Sequence, residues 1–185
     1  MVKVLVVVGH NSYKTSFANK YLVEYLKKNK SIKHEVEFDI LSENYPDLKI
    51  DVKKEQEKLT KADIIVLQYP IHWYGWPTIM QKWLEDVWAY GWAYGSKGNA
   101  LKGKKMLSCM TIGAPQEAYK MPQCPAEQLF NHDANSARFV GMSWEGSVFE
   151  YGCIFLPQTE EKKKQVIANV EKLAKKLADK VNALK

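Results

Sequence analysis

The residues of this chain that are best suited to bind a ligand are aromatic, and they are concentrated in one short segment. Five of the six tryptophans lie between Tyr69 and Gly95, in the sequence YPIHWYGWPTIMQKWLEDVWAYGWAYG. Indole and phenol rings combine flat apolar area with one polar tip, which suits a planar heteroaromatic ligand or a partner subunit. An apolar run precedes the segment and predicts a buried strand, so the rings begin where α/β sheets bind their ligands.

The first part of this segment is bracketed by Pro70 and Pro77, which indicate a defined turn between a strand and a helix. In such a turn, backbone N–H groups can reach the carbonyl edge of a ring while Trp73 and Tyr74 lie along its face. We therefore expect Trp73, Tyr74 and Trp76 to contact a ligand. Large residues further along the chain stand at helical spacing, where core packing or a dimer contact is the better explanation. They are Trp83, Leu84 and Trp88.

A second candidate site is the loop after the first predicted strand, from Gly9 to Asn19. It leads into a helix, and the N–H groups and dipole of a helix N-terminus attract anions, with hydroxyl side chains as further donors. Thr15 or Ser16 could instead cap the helix, but a cap needs one hydroxyl and this loop has several, which favours phosphate binding. The loop lacks the GxGxxG of a dinucleotide site. Gly98–Lys105 resembles a P-loop, but it lacks the Ser or Thr and precedes a strand.

A third loop, Thr111–Pro115, follows the fourth predicted strand. Its glycine, Gly113, lets a ligand approach the backbone closely. In a parallel sheet the carboxyl ends of the strands meet at the same edge, where ligands bind. We therefore expect the loops after the first, third and fourth strands to form one crevice.

The elements that position these loops alternate between short apolar runs and amphipathic stretches. The predicted strands are Val2–Val8, Lys33–Ile40, Ala62–Tyr69, Lys105–Ile112 and Ser147–Tyr151. The predicted helices are Phe17–Lys30, Asp51–Lys61, a helix with Pro77 in its first turn that continues to Trp88, Ala126–Val140, and a last helix that starts near Thr159. This alternation predicts an α/β fold with one parallel, doubly wound sheet, and the even composition predicts one domain over residues 1–185.

Composition and charge restrict the class of protein. Hydrophobic residues make up 46% of the chain and charged residues 26%, the balance of an ordinary globular protein. The net charge is +6, but Arg138 is the only arginine among 27 basic residues, and arginine is the usual side chain for reading bases and phosphates. We therefore expect no nucleic-acid partner, although the charge can attract anionic substrates such as NADPH.

The cysteines and the first residues predict the compartment. Three widely spaced cysteines with no CxxC pair suit a reducing environment, so we expect neither disulfides nor a metal site. The first apolar run contains Lys3 and ends in Gly-His-Asn, which predicts a buried strand and not a signal peptide. No stretch of the sequence approaches the roughly 18 apolar residues that span a bilayer. Together these features predict a cytoplasmic protein.

Several motifs of the chain together resemble one enzyme family. They are His10 with Ser16–Asn19, Pro70–Tyr74, Trp83–Val87, Gly91–Gly95 and Ala100–Lys104. In this order they are similar to the NAD(P)H quinone oxidoreductase family, and most of all to its short bacterial branch, which includes ancillary oxidoreductases of glutathione-gated potassium efflux systems. The resemblance covers nearly the whole chain. It implies a flavodoxin-like three-layer sandwich, in which a five-stranded parallel sheet of order 2-1-3-4-5 has helices on both faces.

The resemblance implies a non-covalently bound flavin, with FMN favoured over FAD because the chain is short, and NAD(P)H as co-substrate. NAD(P)H would deliver a hydride to the flavin and leave, and a quinone or similar small acceptor would then take the hydride in the same place, in a ping-pong cycle. The implied binding residues form three groups. They are His10, Ser16, Phe17, Ala18 and Asn19 for the phosphate, Ile71, His72, Trp73 and Tyr74 for the isoalloxazine, and Thr111, Ile112, Gly113 and Ala114 for its pyrimidine edge.

The resemblance also implies catalytic residues and partners. Tyr119 matches a tyrosine that assists catalysis in many relatives, and Cys124 stands near the position of their histidine. Ile112 and Ala114 depart from the usual Thr-Thr-Gly-Gly loop and remove polarity beside the flavin. The family implies a homodimer. Two other roles stay open: a regulatory subunit in peripheral contact with a membrane potassium-efflux transporter, and a flavodoxin-like electron carrier, which the basic charge disfavours.

Overall fold

The structure of the chain is a computed structural model that describes residues 1–120, 129 and 131–185. Within these residues, five strands form one parallel sheet in the order β2-β1-β3-β4-β5. The strands are β1 (Lys3–Val8), β2 (Glu35–Ile40), β3 (Ile64–Pro70), β4 (Lys105–Thr111) and β5 (Ser143–Glu150). The predicted strand order and the parallel direction are confirmed.

Helices cover both faces of this sheet, as the three-layer prediction requires. They are α1 (Phe17–Asn29), α2 (Leu41–Asn44), α3 (Val52–Lys61), α4 (Thr78–Val87), α5 (Asn131–Phe139) and α6 (Glu160–Asn182). The helices α1 and α6 pack on one face, whereas α3, α4 and α5 pack on the other. Within the described ranges, none of these helices combines the length and the apolar character needed to cross a membrane.

The first strand shows why its sequence is apolar almost throughout. Val4, Val6 and Val8 face the core beneath α1 and α6, whereas Leu5 and Val7 face the opposite core. Successive side chains of a strand point to opposite faces, so a central strand that is covered on both sides needs apolar residues at every position. The apolar run therefore ends where the chain leaves the sheet and the polar loop begins.

The last strand differs from its prediction. It begins at Ser143 and not at Ser147, with Gly146 in a left-handed conformation (φ 89°) and a register shift against β4 between Met106 and Ser108. Because β5 lies at the edge of the sheet, most of its side chains are only half-buried. Edge strands tolerate polar residues and irregular pairing, so the first half of this strand lacks an apolar pattern.

Three smaller differences concern two helix boundaries and a group of short elements. The predicted helix Ala126–Val140 starts at Asn131, and part of its predicted beginning lies outside the described residues. Pro77 is the N-cap of α4 and does not lie within its first turn. The short helix α2 and the 3-10 turns at Tyr13–Thr15 and Gln116–Tyr119 were not predicted. Elements of three or four residues are too short to show a hydrophobic period.

Candidate functional site

Three loops meet at the carboxyl edge of the sheet, as the sequence predicts. The Gly9 N–H donates to the Gln68 carbonyl (2.9 Å), which joins the loop after β1 to the end of β3. The Ile71 N–H donates to the Thr111 carbonyl (2.9 Å), which joins the loop after β3 to the end of β4. A side chain on Gly9 would overlap Met80, so glycine is required where this loop passes α4. The three loops therefore lie side by side at this edge of the sheet.

A buried polar network joins the three loops from beneath. The side-chain oxygen of Asn19 accepts hydrogen bonds from Gln68 Nε2 (2.6 Å) and Thr111 Oγ1 (3.2 Å). The Ser16 hydroxyl oxygen accepts from the backbone N–H of Asn19 (3.3 Å) and from its side-chain amide (3.1 Å). Ser16 is therefore the N-cap of α1, which was the alternative to phosphate binding. Its hydroxyl retains a proton that it can donate to an anion.

The next two predicted phosphate ligands, Phe17 and Ala18, are the first residues of α1. The Ala18 side chain is fully buried in the core, and Phe17 is half-buried against the same core. The Phe17 N–H donates to the Phe155 carbonyl (3.3 Å), from the loop after β5. Only the backbone of Ala18 at the helix start can face a ligand.

His10 is buried directly after β1, although the next two residues of its loop are exposed. Its ring stacks on Phe155 (centroids 5.6 Å, interplanar angle 11°) and meets His72 edge-on at 5.9 Å. Burial, with a smaller contribution from His72, lowers the pKa of His10 to about 4. Its Nδ1 accepts from the Ser12 N–H (3.0 Å), so the neutral ring has its proton on Nε2. At neutral pH, His10 is an uncharged donor.

The segment His72–Gly75, which we call the aromatic turn, is a tight two-residue turn. The His72 N–H donates to the Gly75 carbonyl (3.1 Å), and the Gly75 N–H donates to the His72 carbonyl (3.0 Å). Both central residues have positive φ, 47° for Trp73 and 64° for Tyr74. A turn with two left-handed positions usually contains Asn-Gly, because other side chains strain the backbone there. The backbone of this turn is therefore strained.

The two rings of the aromatic turn are exposed. Trp73 is 97% exposed and Tyr74 is 58% exposed, so core packing does not explain them. The preceding Ile71 is half-buried. His72 is exposed on one side, and partial desolvation of its ring lowers its pKa. Aromatic surface of this extent at the carboxyl edge of a sheet suits a planar ligand.

Trp76 lies directly after the aromatic turn and has a different environment. Its indole N–H donates to Oδ1 of Asp133 on α5 (2.8 Å), and its ring meets His132 edge-on at 4.4 Å. The Tyr69 hydroxyl donates to the other oxygen of Asp133 (2.5 Å). Sequence reasoning missed Asp133 because an acidic residue in an amphipathic helix usually faces solvent. The polar tip of Trp76 is thus directed into the protein.

The tryptophans of α4 and its end pack in the core. Trp83 is fully buried and its indole N–H donates to Glu55 Oε2 (2.8 Å), while Trp88 is 5% exposed. Burial therefore separates Trp83 and Trp88 from the exposed rings of the aromatic turn.

The third loop is anchored to the loop after β5. The Ile112 carbonyl accepts from the Cys153 N–H (2.9 Å), and the Ala114 carbonyl accepts from the Gly152 N–H (3.1 Å). Ile112 is buried and Gly113 is exposed. A Cβ added to Gly113 would meet no heavy atom of the described residues within 4 Å, so internal packing does not require this glycine. The space beside it is open for a ligand.

Further aromatic residues lie beside the aromatic turn. The Tyr119 ring lies 6.5 Å from the Tyr74 ring and 5.6 Å from the Tyr151 ring. Tyr151 and Phe155 follow β5 and were not predicted, because single aromatics in a loop have no diagnostic pattern. Cys124, the second predicted catalytic residue, lies outside the described residues.

An open cavity of about 370 Å³ adjoins the start of α1. Ser16 and Phe17 line it together with three lysines, Lys14, Lys20 and Lys163. Ammonium groups attract anions into a cleft of this kind. The three lysines outnumber the one lining carboxylate, Glu24, so the charge of this cavity favours an anion.

Known proteins resemble this chain over most of its length. An uncharacterized NAD(P)H oxidoreductase of Bacillus subtilis, YrkL, is 34% identical over 164 residues, covering 87% of this chain and 92% of YrkL. The glutathione-regulated potassium-efflux system ancillary protein KefF of Enterobacter sp. (strain 638) is 34% identical over 142 residues, covering 76% of this chain and 78% of KefF. The crystal structure of general stress protein 14 from Treponema denticola in complex with FMN is 26% identical, with a TM-score of 0.82, covering 97% of this chain and 99% of that protein.

A family model described as a flavodoxin-like fold matches residues 2–177, which is nearly the whole chain. The resemblance inferred from the motifs is confirmed by relatives of that family named NAD(P)H oxidoreductase and KefF. With its parallel sheet of order 2-1-3-4-5, the chain belongs to the flavodoxin-like fold family.

Proposed function

We propose that this protein is an FMN-dependent NAD(P)H:quinone oxidoreductase. The observation that supports this most is the aromatic turn, where two exposed rings are held on a strained backbone. Strain of this kind costs about 1–3 kcal/mol per residue and is typical of ligand sites. The FMN complex of the Treponema protein supports the same cofactor, and the NAD(P)H oxidoreductase YrkL supports the same electron donor.

The described residues fit FMN at both of its ends. At the phosphate end, His10 has an Nε2 donor, Ser16 a hydroxyl, and α1 the N–H of Ala18 in its first turn, with lysines nearby. At the ring end, Trp73 and Tyr74 provide apolar area, and the open space beside Gly113 allows close approach to the backbone. We propose that the ring of FMN lies between the aromatic turn and the third loop.

FMN supplies the hydride acceptor and donor that side chains lack. In the proposed reaction, NAD(P)H, a quinone and a proton give NAD(P)⁺ and a hydroquinone, so two electrons pass with one hydride. Trp73 and Tyr74 would orient the ring, and backbone N–H groups of both loops would stabilise negative charge at its carbonyl edge. The open face of the crevice would admit one substrate at a time, which gives a ping-pong order.

Tyr119 is the proposed group for orienting the acceptor and exchanging its proton. It lies at the rim of the crevice, beside Tyr74 and Tyr151. A phenol hydroxyl can both donate and accept a hydrogen bond, so it can hold a quinone oxygen before and after reduction. The role of Cys124 stays a prediction.

The test of this function starts from the purified protein. We expect a yellow protein that releases FMN on heating, identified by chromatography, and that oxidises NADH or NADPH when a benzoquinone is added. Initial rates with both substrates varied should give parallel double-reciprocal lines. A colourless protein that neither binds added FMN nor consumes NAD(P)H would contradict the proposal, whereas intersecting lines would contradict the ping-pong order alone.

We also propose a homodimer. Tyr90 is 71% exposed and Phe139 is 70% exposed, and both rings contact Tyr94 (5.7 and 5.2 Å between centroids). Exposed aromatic groups of this kind are typical of subunit interfaces. Light scattering at micromolar concentration should give the mass of two chains, and a value equal to one chain would contradict the proposal.

The 34% identity with KefF favours a second candidate role as the ancillary protein of a potassium-efflux transporter. Contact with such a transporter would be peripheral and would add to the enzymatic role. The chain should then bind detergent-solubilised transporter in a pull-down and change its potassium flux. A protein that oxidises NAD(P)H but does not bind the transporter would contradict this second role and support only the oxidoreductase function.

A further inference from the structure

We propose that Asp133 is the positioning residue of the aromatic turn. Its carboxylate accepts hydrogen bonds from Tyr69, which precedes the turn, and from Trp76, which follows it. These contacts hold the two ends of the turn in place, so that Trp73 and Tyr74 keep their left-handed backbone conformation. The inference rests on the proposed function, because it concerns the turn that would hold the FMN ring.

The geometry assigns one carboxylate oxygen to each end of the turn. The Tyr69 hydroxyl donates to Oδ2 (2.5 Å), and the Trp76 indole N–H donates to Oδ1 (2.8 Å). Tyr69 and Asp133 are fully buried, and Trp76 is half-buried against His132. The residues between the two donors, 70–75, are thus closed into a loop by a single side chain of α5.

The strain of the turn explains why it needs an external restraint. Left-handed conformations of residues other than glycine persist only where the surrounding structure over-determines them. The two hydrogen bonds between His72 and Gly75 close the turn but do not attach it to the rest of the protein. Asp133 attaches its entrance, at the end of β3, and its exit, before α4, to the same point of α5.

The burial of Asp133 is itself unfavourable. Burial raises the pKa of Asp133, whereas the neighbouring His132 and the polar groups of Tyr69, Trp76 and Ser108 lower it. Apolar residues of similar volume often replace buried charges without loss of stability. A carboxylate placed between two donors that bracket a strained turn therefore points to a positioning role.

A second buried carboxylate provides a matched control. Glu55 on α3 is also fully buried, and it accepts hydrogen bonds from the Tyr45 hydroxyl (2.6 Å) and the Trp83 indole N–H (2.8 Å). These two donors are of the same kinds as those of Asp133, but they lie after α2 and within α4. Glu55 also accepts from Lys58 Nζ (2.6 Å), a donor of a kind that Asp133 lacks among the described contacts. Removing either carboxylate leaves a phenol and an indole without an acceptor, which is costly at both places. Only the removal of Asp133 should affect the aromatic turn.

The first measurement needs no flavin. Hydrogen–deuterium exchange of the Gly75 N–H, which closes the turn by donating to His72, reports its opening. In Asp133→Ala this exchange should be at least tenfold faster than in the wild type, whereas in Glu55→Ala it should stay within about twofold. Equal acceleration in both variants, or none in Asp133→Ala, would overturn the positioning role.

The second measurement is the affinity for FMN, followed by flavin fluorescence in chains freed of flavin. Asp133→Ala should raise the Kd for FMN at least tenfold, and Glu55→Ala should leave it within about threefold. Asp133→Asn should restore most of the affinity, because its oxygen can accept from Trp76 while its amide donates to the Tyr69 oxygen. A Kd that is unchanged in Asp133→Ala would overturn the proposal.

A double-mutant cycle separates positioning from general destabilisation. If Asp133 acts through the turn, Asp133→Ala should have little further effect on the Kd in a Trp73→Ala background. Additive effects would overturn the proposal. Should Asp133→Ala not fold, Tyr69→Phe and Trp76→Phe each remove one of its donors, and both are expected to accelerate Gly75 exchange. A wild type that binds no FMN would contradict the proposed function, while the exchange experiment would still test Asp133.

Discussion

Trp73 and Tyr74 occupy the two central positions of one turn, and both have a left-handed backbone, with φ of 47° and 64°. Neither residue has the small or polar side chain that favours this conformation. Both rings are exposed, so burial does not compensate for the strain. Neither side-chain burial nor turn propensity explains this conformation, and the proposed contact with FMN does.

Replacement of the pair by Asn-Gly, as Trp73→Asn with Tyr74→Gly, should stabilise the flavin-free protein by about 1–2 kcal/mol and strongly weaken FMN binding. Asn-Gly relieves the strain but removes the rings. Urea unfolding and a fluorescence titration measure the two effects. The control is Lys30→Gly at the left-handed C-cap of α1 (φ 46°), which should stabilise similarly without changing the affinity. Loss of stability in the double variant would contradict the assignment of strain.

Two tryptophans of the same segment should respond in opposite ways to alanine. Trp73→Ala should weaken flavin retention at least tenfold and change the free energy of unfolding by less than about 0.5 kcal/mol, because its side chain is exposed. Trp88→Ala should cost about 3–5 kcal/mol, because a buried ring is removed. Flavin affinity and urea midpoints distinguish these outcomes. Equal loss of flavin in both variants would assign the aromatic turn to packing.

The buried imidazole of His10 predicts a dependence of stability on pH. Its pKa falls from 6.5 to about 4 on folding, so between these values the unfolded chain binds more protons than the folded one. His10 therefore does not reduce the free energy of unfolding above pH 6.5. As the pH falls to about 4, this free energy decreases by on the order of 2–3 kcal/mol. His10→Gln should lose this part of the pH dependence in urea unfolding of the flavin-free protein. An identical profile for both proteins would contradict the assignment.

The two glycines Gly113 and Gly9 should respond differently to alanine. A Cβ at Gly113 is free of contacts within 4 Å in the part of the chain that the structure describes, so Gly113→Ala should leave the unfolding free energy within about 0.5 kcal/mol. The added methyl would occupy the space proposed for the ring, so the Kd for FMN should rise. Gly9→Ala should instead cost about 1–3 kcal/mol, because its Cβ overlaps Met80. A stable Gly113→Ala protein with unchanged affinity would contradict this position of the ring.

The site could be predicted from sequence only in part. Trp73, Tyr74 and His10 were named because they follow buried strands, whose ends meet at one edge of a parallel sheet. Ser16 and Asn19 were also named, but their side chains face each other and the interior, which the sequence of a polar loop does not reveal. Catalysis by Tyr119 and Cys124 stays a prediction.

The sequence by itself determined the fold and its order of elements. The spacing of apolar residues, every second residue in a strand or about every 3.6 residues in a helix, is a local property. The apolar run of β1 and the apolar stripe of α6 are therefore visible in nearby residues of the sequence. Only the tertiary structure decided the partners across long separations. Asp133 lies 64 positions from Tyr69 and 57 from Trp76, and both hydrogen bonds exist only after α5 packs against the sheet. Local patterns report the face that a residue presents, whereas the contacts of a buried polar group depend on distant segments that pack beside it.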